Sequence, residues 1–414
     1  VKVLILPELY PPVIGGLEMH AQRLAHALAR RGHEVVVCTL AGGDGPRERT
    51  DGGITVIEID GWRRHLARAY EDPARAFHIP MPDPGVVRAL RSVLDSQRPD
   101  VVHAHGWILY SALVAVPGSG ARLLATLHDF GLVCARRNLL HHGERLCSGP
   151  RLGKCLRCAP EQYGVLKATP VVLGHRASTR LLNGRCDRYL AVSHAVRDAV
   201  VRSGADGGAP VDVIPNFVDL AAIDATSHDP RPAWVPPEGP FVLFVGALTA
   251  FKGIGDLLEV WRRDPPDAHL VLAGTPRPDT PRSLPPRVSL VEDVAHREVL
   301  AATRHAAVSV TPSVGPDACP STVIEAMACA TAVVGTTVGG IPDLIEHEVD
   351  GLLVAPANPG ALRAAVVALL DDPDLRHRMA RSARERSSLF GTDTVTARVE
   401  DAYSEAMAAE AVPT

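Results

Sequence analysis

The stretch FVLFVGALTAFKG, residues 241–253, decides the fold. Phe241–Val245 is an apolar run of strand length, Gly246 ends it, and Lys252-Gly253 lead into Ile254–Trp261, whose apolar residues recur at helical spacing. Downstream the same grammar continues with Leu270–Ala273 ending at Gly274, then Val288–Leu290, Val308–Thr311 and Ala332–Gly335. Upstream it has already run once. Val1–Leu6 is a strand-like run, followed by a turn-rich segment from Pro11 to Gly16. A helix then starts near Leu17, with Leu24, Ala27 and Leu28 on one face, and ends at Gly32. Glu34–Leu40, Ile54–Ile59, Val101–His103 and Leu123–His128 follow as further strands. Apolar runs separated by helices predict parallel strands covered on both faces.

Because this pattern restarts at Phe241, two doubly wound units fit better than one large sheet. The length of 414 residues agrees, since single cores stop growing near roughly 250–300 residues. Asp219–Pro240 holds five prolines among Asp, Ser and Gly and reads as the hinge. The expected organisation is therefore residues 1–218, residues 219–391, and an amphipathic helix over 392–414 that crosses back to the first unit. Ala41–Gly53 and Arg63–Pro84 are polar and read as loops facing the cleft or solvent.

Composition narrows the function. Hydrophobic residues at 46% and charged residues at 22% suit a globular enzyme. A net charge of −4 with no basic stripe argues against nucleic acid as a partner. The longest apolar stretch, near Phe241–Phe251, is too short to cross a bilayer, although peripheral membrane contact stays open. The chain opens directly on a strand, so no signal peptide is expected. Eight cysteines are too sparse for a disulfide scaffold and point to a reducing, cytoplasmic setting. Only Lys2, Lys154, Lys167 and Lys252 are lysines among the 43 basic residues, which singles out Lys252.

Four constellations carry chemistry. Gly15-Gly16 lie between the first strand and a helix, where the backbone can approach a ligand and the helix start favours an anion; a plain turn is the other reading. They do not make a G-x-G-x-x-G fingerprint, so a nicotinamide dinucleotide is poorly supported. Lys252 sits in a strand-to-helix loop where its ammonium would neutralise a diphosphate, or else be a solvated surface charge. Asp317 precedes a helix expected over Val323–Ala330. Glu325 is placed in its first turn, and the amides of Ser321, Thr322 and Val323 face outward. That arrangement binds phosphate and sugar hydroxyls, or Glu325 merely complements the helix dipole. Finally, Cys134, Cys147, Cys155 and Cys158 have the spacing Cys-x12-Cys-x7-Cys-x2-Cys, which fits a closed tetrahedral zinc site in a loop or four unligated thiols, with an iron–sulfur cluster the weaker metal alternative. The remaining cysteines, Cys38, Cys186, Cys319 and Cys329, are expected to be buried. Asp372-Pro373-Asp374 has the letters of a metal-binding Asp-x-Asp but reads as a turn and helix start.

Asp317 and Glu325 have the spacing of the E-x7-E motif of the retaining family 4 glycosyltransferases. The resemblance runs along nearly the whole chain. Gly15-Gly16 with Arg31-Gly32-His33-Glu34-Val35, Val102-His103-Ala104-His105, Thr126-Leu127-His128-Asp129, Ala191-Val192-Ser193 and Ile214-Pro215-Asn216-Phe217-Val218-Asp219 occur in the family's order. Gly339-Gly340-Ile341-Pro342-Asp343 and Asp350-Gly351-Leu352-Leu353-Val354 resemble its closing signatures. The resemblance implies a GT-B fold, two Rossmann-like domains facing a cleft, and transfer of a hexose-type sugar from a nucleotide-diphosphate sugar to a small-molecule, lipid-linked or glycan acceptor. It implies Glu325 on the donor ribose, Asp317 by the transferred sugar, Lys252 on the diphosphate, and His128 at the reacting centre. Gly246 and Gly274 would admit the donor backbone-close, and His105 and Asp129 would lie on the acceptor side. No catalytic metal is expected. Departures are Asp317 where the family usually has Glu, Ala247 where many members have Arg, with Arg262 or Arg263 as its replacement, and Cys319-Pro320-Ser321 for F-G-L. Asp317 and Ala247 keep a catalytically decayed carbohydrate-binding protein in view, and a nucleotide-sugar epimerase of the same fold, using paired carboxylates on a bound sugar, is a further alternative that the family segments argue against.

Overall fold

A computed structural model describes residues 1–13, 15–42, 45–62, 78–143, 145–181, 184–281 and 283–409. The chain divides into two compact units. One comprises Val1–His142, Cys147–Pro215 and Val395–Thr414, the other Gly143–Leu146 and Asn216–Thr394.

In the first unit the strands are β1 (Lys2–Pro7), β2 (Glu34–Leu40), β3 (Glu48–Asp51), β4 (Ile54–Ile59), β5 (Val101–His105) and β6 (Arg122–Leu127). Two-residue strands β7 (Leu140–His141) and β8 (Arg145–Leu146) follow along the chain, and β9 (Arg188–Ala191) and β10 (Val211–Val213) complete the main sheet. Its order is β10-β9-β6-β5-β1-β2-β4-β3, parallel except for the antiparallel β3–β4 pair. β2 lies on one side of β1 and β5 on the other. The order therefore reverses at β1, and ligands bind such sheets outside the strand ends at that point. The register pairs Pro7 with His105, and His105 with Thr126, so the chemistry-bearing residues of the first half gather at this edge.

The second unit contains β11 (Phe241–Val245), β12 (His269–Ala273), β13 (Val288–Val291), β14 (Val308–Thr311), β15 (Ala332–Thr336) and β16 (Leu352–Val354). Their order is β13-β12-β11-β14-β15-β16, all parallel, with the reversal between β11 and β14. β11 shows why the run at Phe241 is apolar throughout. Val242 and Phe244 enter one buried cluster with Trp261 and Val366, while Phe241 and Leu243 enter another with Val271 and Ala302. A strand buried on both faces keeps no polar alternation.

The structure corrects several expectations. Within the stretch expected as a loop, β3 forms an antiparallel edge on β4, where Arg49 and Arg47 both pair with the buried Glu58 carboxylate. Residues 63–77 of the second expected loop lie outside the described residues. Its end is a helix start: Asp83 caps Pro84–Gln97 by accepting from the amides of Gly85 and Val86. The cysteine segment is also less loop-like than read. Cys155 and Cys158 lie on a helix, Leu152–Cys158, and Pro160–Leu181 is helical apart from a kink at Gly164, where φ is +70°. Gly164 and Pro170 are helix-breaking letters, and they hid it. Asp372 caps the helix Pro373–Arg386, as the Asp-Pro-Asp reading expected. Cys38, Cys186, Cys319 and Cys329 are buried. Among the described residues no helix is long and apolar enough to cross a membrane.

Candidate active site

In the second unit the candidate site is built where β11 and β14 end. Gly246 has φ +142° and Gly274 φ +159°; a Cβ on Gly274 would lie 1.8 Å from the Gly246 carbonyl oxygen. Gly274 is thus a requirement of backbone contact, whereas Gly246, whose Cβ would meet only the Phe244 ring at 3.7 Å, is favoured by its φ. Gly253 has φ +77°, and a Cβ there would lie 1.9 Å from the Pro312 carbonyl. The Phe251 carbonyl accepts from the amides of Val314 and Gly315, each at 3.0 Å. The loop after β11 is therefore fastened to the loop after β14, which fixes Lys252 opposite Asp317. Lys252 Nζ donates to Asp317 Oδ2 at 2.5 Å, and Ser313 Oγ lies 3.4 Å from the same oxygen. The Asp317 backbone is gripped from behind. Its carbonyl accepts from the Gly340 amide at 2.7 Å, and a Cβ on Gly339 would come within 2.0 Å of that oxygen. The glycine pair of the closing signature thus has a local cause.

The helix after Asp317 is Ser321–Ala328, two residues earlier than expected. Glu325 consequently sits in the second turn, and the Val323 amide is not outward-facing but donates to Pro320 at 3.1 Å. Pro320 has an extended φ/ψ and starts the helix at the next residue. The amides of Ser321 and Thr322 remain at the helix start. Glu325 is buried and its Oε1 accepts from His296 Nε2 at 2.9 Å. His296 opens the helix His296–His305 after β13; sequence reading missed it because nothing local marks a half-exposed histidine 29 residues away from its partner. Arg262 and Arg263 do not replace the arginine absent at 247. They pair with Glu259 of their own helix, about 13 Å along it from Gly253 at ~1.5 Å per residue.

In the first unit Gly15 caps the helix Gly16–Arg30. A Cβ on Gly15 would meet the Glu18 carboxylate at 2.2 Å, whereas Gly16 opens on space. Glu18 therefore already places a negative charge at this helix start. Beside it, the last residue of β5 and the first residue past β6 meet: His105 Nδ1 and His128 Nε2 are 2.9 Å apart. His20, from the helix, stands edge-on to His128 with ring centroids 4.6 Å apart. His103 lies beneath, its Nδ1 on Tyr403 Oη and its Nε2 on Thr126 Oγ1, both at 2.7 Å. Burial holds His103 down to about 3, and burial with neighbouring imidazoles holds His20 and His105 well below the ordinary range. These three rings are neutral at pH 7. Asp129 is engaged twice, accepting from the Gly131 amide at 2.6 Å and from Arg137 Nε at 2.8 Å. Arg137 also pairs with the buried Glu8 at 3.4 Å and covers the Trp107 ring. Glu8, missed in the sequence, accepts from the Trp107 amide; burial raises its pKa against the pull of Arg137.

The cysteines belong to a polar knot. Cys158 Sγ takes Arg136 Nη1 at 3.1 Å and the His142 amide at 3.3 Å. Cys134 and Cys155 are raised chiefly by burial, and also by the nearby charges of other cysteines of the set.

The profile of Glycosyltransferase Family 4 matches residues 14–222, and that of the Glycosyl transferases group 1 matches residues 239–372. The chain belongs to glycosyltransferase family 4. The glycogen synthase of Mycobacterium tuberculosis is 28% identical over all of this chain and 96% of its own length. The D-inositol 3-phosphate glycosyltransferase of Xylanimonas cellulosilytica is 28% identical over 95% of this chain and 92% of its own. Anabaena HepE in complex with UDP superposes with a TM-score of 0.69 at 18% identity, covering 98% of this chain and 100% of that one. This family 4 glycosyltransferase therefore has the GT-B fold, as expected. It transfers sugar from a nucleotide-sugar donor, and neither the epimerase nor the decayed-binding reading finds support.

Proposed function

We propose that this glycosyltransferase moves a hexose from a UDP-sugar, with retention, onto a hydroxyl of a small polyhydroxylated acceptor such as a cyclitol or its phosphate. The single observation that carries the donor assignment is the set Lys252, Asp317, Glu325 and His296 at the β-strand ends of the second unit. Glu325, oriented by His296, accepts the two ribose hydroxyls. Lys252 and the amides of Ser321 and Thr322 take the diphosphate, and Gly246 and Gly274 let its backbone-facing side approach. Asp317 takes a hydroxyl of the transferred sugar. In the first unit His128, supported by His105, meets the reacting hydroxyls beside Gly16, and Asp129 shapes the loop through Arg137. The acceptor oxygen bonds to the anomeric carbon as the carbon–phosphate oxygen bond breaks. The acceptor proton passes to the departing phosphate oxygen, and Lys252 balances the charge that develops there. No metal is needed for that step. The cyclitol class is supported by the inositol-phosphate relative, with an α-glucan acceptor the competing outcome.

The four cysteines are proposed to hold a structural zinc ion. The Cys-x2-Cys spacing supports this reading and four thiolates form the donor set zinc favours; no three of the four sulfurs lie within 4.8 Å of one another, and Cys158 instead groups with His142 and Glu161, so binding would have to draw the sulfurs together. We read the protein as cytoplasmic, a reading that its sparse cysteines and a nucleotide-sugar substrate support. Mass spectrometry with UDP-, GDP- and TDP-sugars against inositols, inositol phosphates and maltooligosaccharides tests the reading. A cyclitol raised by one hexose mass supports it, whereas products only on the glucans, or only with GDP or TDP donors, overturn it. Metal analysis should find zinc of which Cys155→Ser loses one equivalent per chain; zinc-free, fully folded protein would refute that part.

A further inference from the structure

We propose that His20, His105 and His128 form a three-imidazole site for a divalent transition-metal ion, with one coordination position facing solvent. One ligand nitrogen from each ring lies within 4.8 Å of the other two. The three side chains come from separately fixed elements: the helix Gly16–Arg30, the last residue of β5, and the residue after β6. A tetrahedral zinc ion with bonds of ~2.0–2.1 Å sets its nitrogens roughly 3.4 Å apart. The rings therefore need shifts of about an ångström, which side-chain rotation supplies without moving a strand. His105 is buried and the other two are half-buried.

His105 Nδ1 and His128 Nε2 share one proton across 2.9 Å. To bind metal, the ring holding that proton shifts it to its other nitrogen. If that ring is His105, its Nε2 is buried without a hydrogen-bond partner among the described residues and can take the proton. His103 cannot join, because both its nitrogens are engaged by Tyr403 and Thr126. Imidazoles select zinc, copper or nickel over magnesium or calcium. Since His105 Nε2 has no outer acceptor, affinity should be about 10–100-fold below that of a fully supported site. The consequence for activity rests on the placement of His128 at the reacting centre: metal on His128 should inhibit transfer.

The test is a titration of the chelator-stripped full-length protein with cobalt(II), followed by visible absorption and calorimetry. Imidazole ligation gives weak d–d bands, whereas cysteine ligation adds intense thiolate charge-transfer bands. The expected result is a binding event without thiolate bands that persists in Cys155→Ser and weakens at least tenfold in His20→Gln and in His105→Ala. His20→Gln keeps a half-buried polar side chain, so its fold is checked by circular dichroism before titration. Cobalt binding confined to thiolate bands, or unchanged in folded His20→Gln, would overturn the site. Imidazole binding without inhibition would uphold the site and overturn the role of His128 instead.

Discussion

The ion pair between Lys252 and Asp317 makes a quantitative prediction that separates two jobs of one contact. Both side chains are largely shielded, 27% and 13% exposed, and their charged atoms are 2.5 Å apart. Asp317 holds the ammonium; on the proposed donor assignment, a diphosphate arriving at Lys252 must share it. A charge-assisted hydrogen bond is worth about 1.5–3 kcal/mol, so Lys252→Ala should weaken UDP binding about 10- to 150-fold. Asp317→Asn removes the competitor and a like charge beside the diphosphate. Ion pairs with residual exposure contribute up to ~1 kcal/mol, so this change should tighten UDP binding about two- to fivefold while kcat falls. In the double variant the two effects should not add, because each acts through the other, with a coupling of about 0.5–1 kcal/mol. Calorimetric titration with UDP and initial-rate kinetics measure both. If Asp317→Asn weakens UDP as Lys252→Ala does, or if the two effects sum, the competition argument is wrong.

Further outcomes follow from individual contacts. Gly253→Ala forces a Cβ onto the Pro312 carbonyl at a left-handed φ, and should destabilise the second unit by more than about 1 kcal/mol and raise the donor KM; an unchanged melting curve and KM would contradict this. Tyr403→Phe leaves buried His103 Nδ1 without its partner, at about 1–3 kcal/mol, and should lower thermal stability while leaving UDP affinity intact, since UDP is assigned to the other unit. His103 is held near 3 in the folded chain against an ordinary value of about 6.5. Below pH 6.5 the unfolded chain therefore binds a proton that the folded chain refuses. Stability should fall by about 1.4 kcal/mol per pH unit from 6.5 toward 3 for this residue alone, with His20 and His105 acting in the same direction. Denaturation midpoints that stay flat between pH 7.5 and 5.5 would exclude it.

Much of this was legible in letters. The run Phe241–Val245 with Gly246 announced a buried parallel strand and its exit, and Lys252 stood out in a chain that otherwise uses arginine. β3 was not legible, because Glu48–Asp51 is polar on both faces and becomes a strand only through pairing with β4. The Ser321–Ala328 helix starts two residues before the expected Val323, because Pro320 takes the N-cap position and launches it.

The sequence by itself determined the two parallel-sheet units, the strand-end loops, and the residue types at the site, because these follow from local periodicity and from glycines and charges at fixed offsets. Only tertiary structure decided the partners. His296 reaches Glu325, Lys252 closes on Asp317, and His20 joins His105 and His128 across distances in sequence that no spacing encodes. The physical reason is topology. Parallel strands deliver their carboxyl ends to one edge, and which side chains meet there depends on strand order and register, set by packing of the whole sheet.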